Sequence, residues 1–164
     1  MNDLVNSNLN TLKQLHSIIN QLDNNKLSNK TAEPYRSSIG SHVRHILDFY
    51  YCILFPENTI IDFTNRRRDE KVENCCISAK AYLNEITETL SNFEYNNKTE
   101  LIVKDDLGLG VVTMTYTYDA VLSQANSHTI HHFAIINYIM NALNLKLEDS
   151  KFGYNPTTVI EERA

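Results

Sequence analysis

The sequence predicts an all-α protein, a four-helix bundle with a small β-hairpin before the last helix. Three observations lead to this prediction. Four long stretches carry apolar residues at helical spacing. The third of them, from Val72 to Phe93, alternates steps of four and three residues, which is typical of a helix packed lengthwise in a bundle. One run, between Thr99 and Tyr118, is rich in Thr, Val, Ile and Tyr and has two glycines near its centre, which favours a hairpin.

The helices are expected over residues 3–23, 38–54, 69–95 and 119–145. The first ends at Asn24-Asn25, and the second lies between a serine N-cap and Pro56. The third begins at Asp69-Glu70, whose acidic side chains suit the positive end of a helix dipole. We expect a loop at 57–68 and an irregular tail at 148–164.

Composition limits the classes of protein that the chain can represent. Its 164 residues, 42% of them hydrophobic, suit one globular domain over 1–164. A net charge of −5 argues against a general nucleic-acid binder, which needs a basic surface. Three cysteines, an odd number, are typical of a reducing compartment. With no signal-peptide pattern and no apolar run long enough for a bilayer, we expect a cytoplasmic protein that binds no membrane.

Three of the six histidines lie within five residues of the last predicted helix. On a helix, His128 and His132 are about 40° apart and share the apolar stripe, whereas His131, about 60° from His128, falls at its edge. A buried imidazole needs partners for both ring nitrogens. A metal ion together with an outer hydrogen-bond acceptor supplies both. The alternative is a pair of core histidines bonded to carbonyls or tyrosines.

The second predicted helix offers two more imidazoles, His42 and His45. Their spacing of three lets both reach one site, or lets one of them support a ligand. Three neutral imidazoles with open positions are typical of a catalytic metal site. An ion held in this way keeps its full charge and lowers the pKa of a bound water or thiol. Imidazole suits zinc, nickel, iron and copper; we expect one divalent ion, zinc or nickel, with iron a further candidate.

Charged residues near these histidines have two interpretations each. Arg66, Arg67 and Arg68 form either a solvated run or a group that captures an anion, since guanidinium forks match carboxylates. Asp48 is either a surface helix carboxylate or a neighbour of the metal ligands. No general acid or base stands out, so the catalytic residues are left unassigned.

Two segments, 38–48 (SIGSHVRHILD) and 127–132 (SHTIHH), resemble the two motifs of the DinB/YfiT-like superfamily. Segments 62–69 and 152–158 are similar to further signatures of one subgroup, so the resemblance covers nearly the whole chain. It implies an up-down-down-up four-helix bundle, usually a homodimer, with one divalent metal. At the positions of this sequence that match the motifs, the resemblance implies that His45, His128 and His132 are the metal ligands, with His42 as an alternative ligand or a neighbour.

The same resemblance bears on activity. Similar proteins include thiol S-transferases that use bacillithiol, mycothiol or glutathione, and a maleylpyruvate isomerase. The chain is therefore expected to be a metalloenzyme acting on a small molecule, with a low-molecular-weight thiol as the candidate co-substrate. The other classes left open are a metal-dependent hydrolase and a non-catalytic metal-binding or stress-response protein.

Overall fold

The structure, a computed structural model, describes residues 2–159. These residues form six helices, α1 (Asp3–Asn20), α2 (Asn24–Ser28), α3 (Ile39–Leu54), α4 (Glu70–Asn74), α5 (Cys76–Ser91) and α6 (Tyr118–Ala142). They also form three strands, β1 (Ile60–Asp62), β2 (Glu100–Asp106) and β3 (Val111–Thr117). The four longest helices pack together, with α1 and α3 each contacting both α5 and α6.

The strands form one mixed sheet in the order β1-β2-β3. β2 and β3 are the two arms of the antiparallel hairpin, and β1 adds to β2 in parallel, with Ile61 opposite Val103. The prediction of an all-α, DinB-like up-down-down-up four-helix bundle is therefore wrong, because the described residues contain six helices and a three-stranded mixed sheet. The segment predicted as a loop contains β1, whose Ile61 is fully buried.

The predicted third helix is divided in two. Cys75 has an extended backbone, with φ −137° and ψ 116°, and forms both the end of α4 and the start of α5. The break adjoins the start of α2, since the Cys76 backbone N–H donates to Asn24 Oδ1 at 2.9 Å. The apolar seam nevertheless points inward on both sides of the break, from Val72 to Leu90.

The core lies between the long helices and contains a cluster of buried polar side chains from α1, α3 and α6. Tyr50 on α3 is fully buried, and its hydroxyl donates to Asn8 Oδ1 on α1 at 2.6 Å. Thr129 on α6 lies 3.5 Å from the same hydroxyl. These contacts connect α1, α3 and α6 directly beside the histidine-bearing part of α6.

After α6 the chain returns along that helix without regular structure as far as residue 159. Phe152 is buried and stacks on Phe133, with ring centroids 4.5 Å apart, and its carbonyl accepts from Asn137 Nδ2. The remainder of the predicted irregular tail, 160–164, lies outside the described residues. None of the helices within 2–159 is long and apolar enough to cross a membrane.

Candidate metal centre

Two helices supply the imidazoles. α3 begins at its N-cap Ser38, whose hydroxyl accepts from the Ser41 backbone N–H at 3.0 Å, and this start places His42 and His45 in the first two turns. α6 runs without a break from Thr117, its N-cap, to Ala142. α3 and α6 pack against each other, so their histidines face across one contact.

Three of the imidazoles form a compact group. One ring nitrogen from each of His45, His128 and His132 lies within 4.8 Å of the other two, close enough to hold a metal ion. His128 Nε2 and His45 Nε2 are 2.9 Å apart. Two nitrogens bound to one tetrahedral zinc at about 2.0–2.1 Å would be separated by ~3.3 Å. The observed separation of His128 Nε2 and His45 Nε2 is close to that value.

His42 contacts one member of this group instead of joining it. Its Nδ1 lies 2.9 Å from His132 Nδ1, and its Nε2 lies 2.8 Å from Ser37 Oγ. Two tautomer patterns satisfy both contacts. In the pattern that suits metal binding, His132 Nδ1–H donates to His42 Nδ1, and His42 Nε2–H donates to Ser37 Oγ. This pattern leaves a lone pair on His132 Nε2, as expected for a ligand whose other N–H is held by a neighbouring acceptor.

His131 lies at the rim. It is exposed, on the outer side of α6, but its ring centroid is 5.3 Å from that of His132. Sequence reasoning placed it at the edge of the apolar face and pointing away. The structure keeps it out of the three-histidine group while leaving it beside one member.

The environment keeps the group uncharged. Burial first and the neighbouring His128 second lower the pKa of His45 to about 3. The pKa of His128 falls to about 4, through burial and then His131, and that of His132 to about 2, through burial and then His128. Burial also lowers the pKa of His42. At neutral pH these are neutral imidazoles, the form that binds metal.

An aromatic stack holds His128 from one side. The ring of Phe49 on α3 stacks on His128 with centroids 4.6 Å apart, and Phe63 stacks on the other face of Phe49 at 3.9 Å. Sequence reasoning missed this support. Phe49 follows His45 by four residues, which puts both on one side of the helix in sequence as in the structure, whereas Phe63 arrives only because β1 pairs with β2.

Asp48, considered as a neighbour of the ligands, has other partners. It is buried, and it accepts from Tyr82 Oη at 3.1 Å and from the Arg68 backbone N–H at 3.1 Å, with Arg44 Nη1 3.7 Å away. Burial raises its pKa above the ordinary aspartate value. Asp48 thus anchors the segment after β1 to α3 and does not bond to a histidine.

The three consecutive arginines have different surroundings. The Arg67 guanidinium lies 4.8 Å from the Tyr51 ring centroid and pairs with Glu85 at 3.2 Å. Arg68 donates to the Thr64 carbonyl at 3.3 Å. The half-buried Arg66 makes no hydrogen bond or ion pair with any residue in the described range 2–159. Its charge is close enough to add to the effect of burial in lowering the pKa of His45 and His128.

Comparisons with family models, with curated proteins and with solved structures gave no match for this chain. Neither a family nor an activity is therefore assigned by similarity. A functional assignment has to come from the donor set, its burial and its neighbours.

Proposed function

We propose that His45, His128 and His132 bind one divalent metal ion, zinc or nickel, and that the protein is a metalloenzyme. The observation that carries the proposal is the convergence of three neutral imidazole nitrogens within 4.8 Å. Imidazole nitrogen is a preferred ligand of both ions. Iron is a further candidate, because the ligand type alone does not choose among these metals.

The surroundings of the three histidines favour ligation over simple core hydrogen bonding. Core histidines are expected to bond to carbonyls or tyrosines, but His128 and His45 face each other through their Nε2 atoms. The contacts from Ser37 to His42 and from His42 to His132 admit a tautomer in which the Nε2 lone pair of His132 is free. Side chains that support a ligand in this manner are a regular feature of metal sites.

Three protein ligands leave positions for substrate, which is the pattern of a catalytic site. A divalent ion there would lower the pKa of a bound water or thiol and polarise a substrate. The resemblance of segments 38–48 and 127–132 to DinB/YfiT-like motifs supports thiol S-transfer, with a low-molecular-weight thiol as co-substrate. The homodimer implied by that resemblance stays a prediction.

The ligand assignment is tested by metal content after dialysis against limiting zinc or nickel. His128→Ala and His132→Ala should each weaken binding by more than the roughly 10–100-fold lost with an outer-shell partner. His131→Ala is the matched control on the same helix and should retain the metal. Loss of metal in His131→Ala but not in His132→Ala would overturn the assignment, as would a wild-type protein with no affinity for any of these ions.

The reaction class needs a separate measurement. The metal-loaded protein is incubated with a small electrophile and a panel of low-molecular-weight thiols, with and without a chelator. Thiol-dependent turnover that disappears on chelation supports transfer. Hydrolysis of an ester or amide without thiol would show that the protein is a hydrolase and not a transferase. Tight metal binding without turnover would indicate a non-catalytic metal-binding protein.

A further inference from the structure

The segment 63–69, here called the arginine loop, follows β1 and runs beside the metal centre. We infer that Arg66 of this loop binds a carboxylate of the substrate or co-substrate at the metal centre. The inference rests on the proposed function and deepens it, because it names a chemical feature of the molecule that the site accepts.

Both ends of the arginine loop are fixed to the same turn of α3. At its start, Phe63 stacks on Phe49, whose ring also stacks on His128. Near its end, the Arg68 backbone N–H donates to Asp48. Asp48 and Phe49 follow His45 by three and four residues, one helical turn. Arg66 therefore lies between two anchors that both adjoin the His45 turn.

Of the three guanidinium groups in the loop, only that of Arg66 is uncommitted within the described part of the chain. Arg67 is held by Glu85 and Tyr51, and Arg68 by the Thr64 carbonyl. The Arg66 guanidinium therefore remains available to a ligand, and it presents a planar fork that matches a carboxylate. An incoming carboxylate would satisfy that fork.

The nearby charges also favour an anion. The charge of Arg66 also acts on Asp48, but the Asp48 oxygens already accept from Tyr82 and from the Arg68 backbone N–H and lie near Arg44. Asp105 on β2 acts on His128, but it is partly exposed and accepts from the Asp106 backbone N–H. A divalent ion on three neutral imidazoles, together with Arg66, would leave an excess of positive charge. One guanidinium matches a monoanionic carboxylate, whereas phosphate sites commonly combine several donors.

The inference is tested with two small thiols that differ in one group, mercaptoacetate, which carries a carboxylate, and 2-mercaptoethanol, which does not. Calorimetric titration of the metal-loaded wild type should show that mercaptoacetate binds roughly tenfold or more tightly than 2-mercaptoethanol, since one charge-assisted hydrogen bond contributes about that much to affinity. Arg66→Gln should abolish this preference. Arg66→Lys should retain part of it, since the charge remains and the fork is lost, and Arg67→Gln is the matched control that should keep it.

The metal content of each variant separates the two proposals. If wild-type protein takes up no ion, both this inference and the proposed function fall. If Arg66→Gln binds the ion normally and keeps its preference for mercaptoacetate, only the role of Arg66 is refuted. Inorganic phosphate binding at least as tightly as mercaptoacetate, in a manner that depends on Arg66, would overturn the assignment of a carboxylate.

Discussion

At the scale of single residues, His42 shows how one side chain can prepare another for metal binding. The contacts from Ser37 to His42 and from His42 to His132 hold the ring of His132, and with a metal ion on its Nε2 the remaining N–H of His132 would donate from Nδ1 to His42. Without His42, the Nδ1–H of His132 would lack its acceptor, and the ring could rotate or adopt the other tautomer. His42 is thus a positioning residue for a ligand.

We predict that His42→Ala weakens metal binding roughly 10–100-fold, the usual effect of losing an outer-shell partner. Ser37→Ala, one step further from the ion, should have a smaller effect in the same direction. Competition with a chromophoric chelator measures both affinities. An unchanged affinity in His42→Ala would show that His132 is oriented by packing alone.

The sequence identified the histidines more readily than their roles. Helical spacing alone puts His128 and His132 on one face, and no tertiary information is needed for that. The choice between His42 and His45 depends on how α3 lies against α6 and on the contact with Ser37. In the same way, the run Arg66 to Arg68 looks uniform in sequence, and only the places of Tyr51, Glu85 and Thr64 distinguish its members.

At the scale of elements, a glycine permits the close approach of α3 and α4. A Cβ added at Gly40 would overlap the backbone carbonyl of Glu73 in α4. The same two helices are joined by an ion pair between Arg44 Nε and Glu73 Oε1 at 2.8 Å. Gly40 lies two residues before His42, so this contact fixes the part of α3 from which the metal centre is built.

Gly40→Ala should therefore destabilise the protein by about 1–3 kcal/mol, since the added methyl group forces the two backbones apart. At an exposed position inside a helix, Gly→Ala would stabilise the protein by about 1 kcal/mol. The sign of the change in the free energy of unfolding therefore shows whether the contact with α4 is tight. Urea unfolding followed by circular dichroism gives the free-energy difference, with the exposed-site variant Ser17→Ala as a control expected to lie near zero. A stabilised Gly40→Ala protein would show that α4 moves away easily.

The errors in the fold prediction also belong to this scale. β1 has three residues, too few to show an alternating pattern, and its partner lies about forty positions further along the chain. Parallel pairing over such a distance leaves no local signature. The division of α4 from α5 at Cys75 was hidden because the apolar seam continues through it. The long helices and the hairpin, by contrast, have local periods that the sequence displays directly.

At the scale of the whole molecule, the neutral histidines make the stability of the metal-free protein depend on pH. In the unfolded chain these imidazoles take up protons near pH 6.5, whereas in the folded protein His128 does so only near 4, and His45 and His132 lower still. Below pH 6.5 the unfolded state therefore binds more protons, and the folded state loses stability. Asp48, whose pKa is raised, acts in the opposite direction.

We predict that the free energy of unfolding of the metal-free protein is greatest above pH 6.5 and decreases steadily from there to about pH 4. Urea titrations at pH 8, 7, 6 and 5 measure the slope. His45→Asn should flatten it by removing one titrating group whose pKa is lowered in the folded protein. A flat wild-type profile would mean that the three imidazoles are not protected from protonation.

The place of the ligands along the chain has a consequence for how a bound ion would act on the fold. His45 and His128 are 83 positions apart, so a bound ion would be a cross-link between distant parts of the chain. The three cysteines are free thiols and form no such cross-link. In an unfolded chain, closing a ring of that size would cost about 4.5 kcal/mol of free energy through lost chain entropy. The complete ligand set therefore exists only in the folded protein. Each tenfold rise in free metal above its Kd would add about 1.4 kcal/mol to stability, without the oxidising conditions that a disulfide requires.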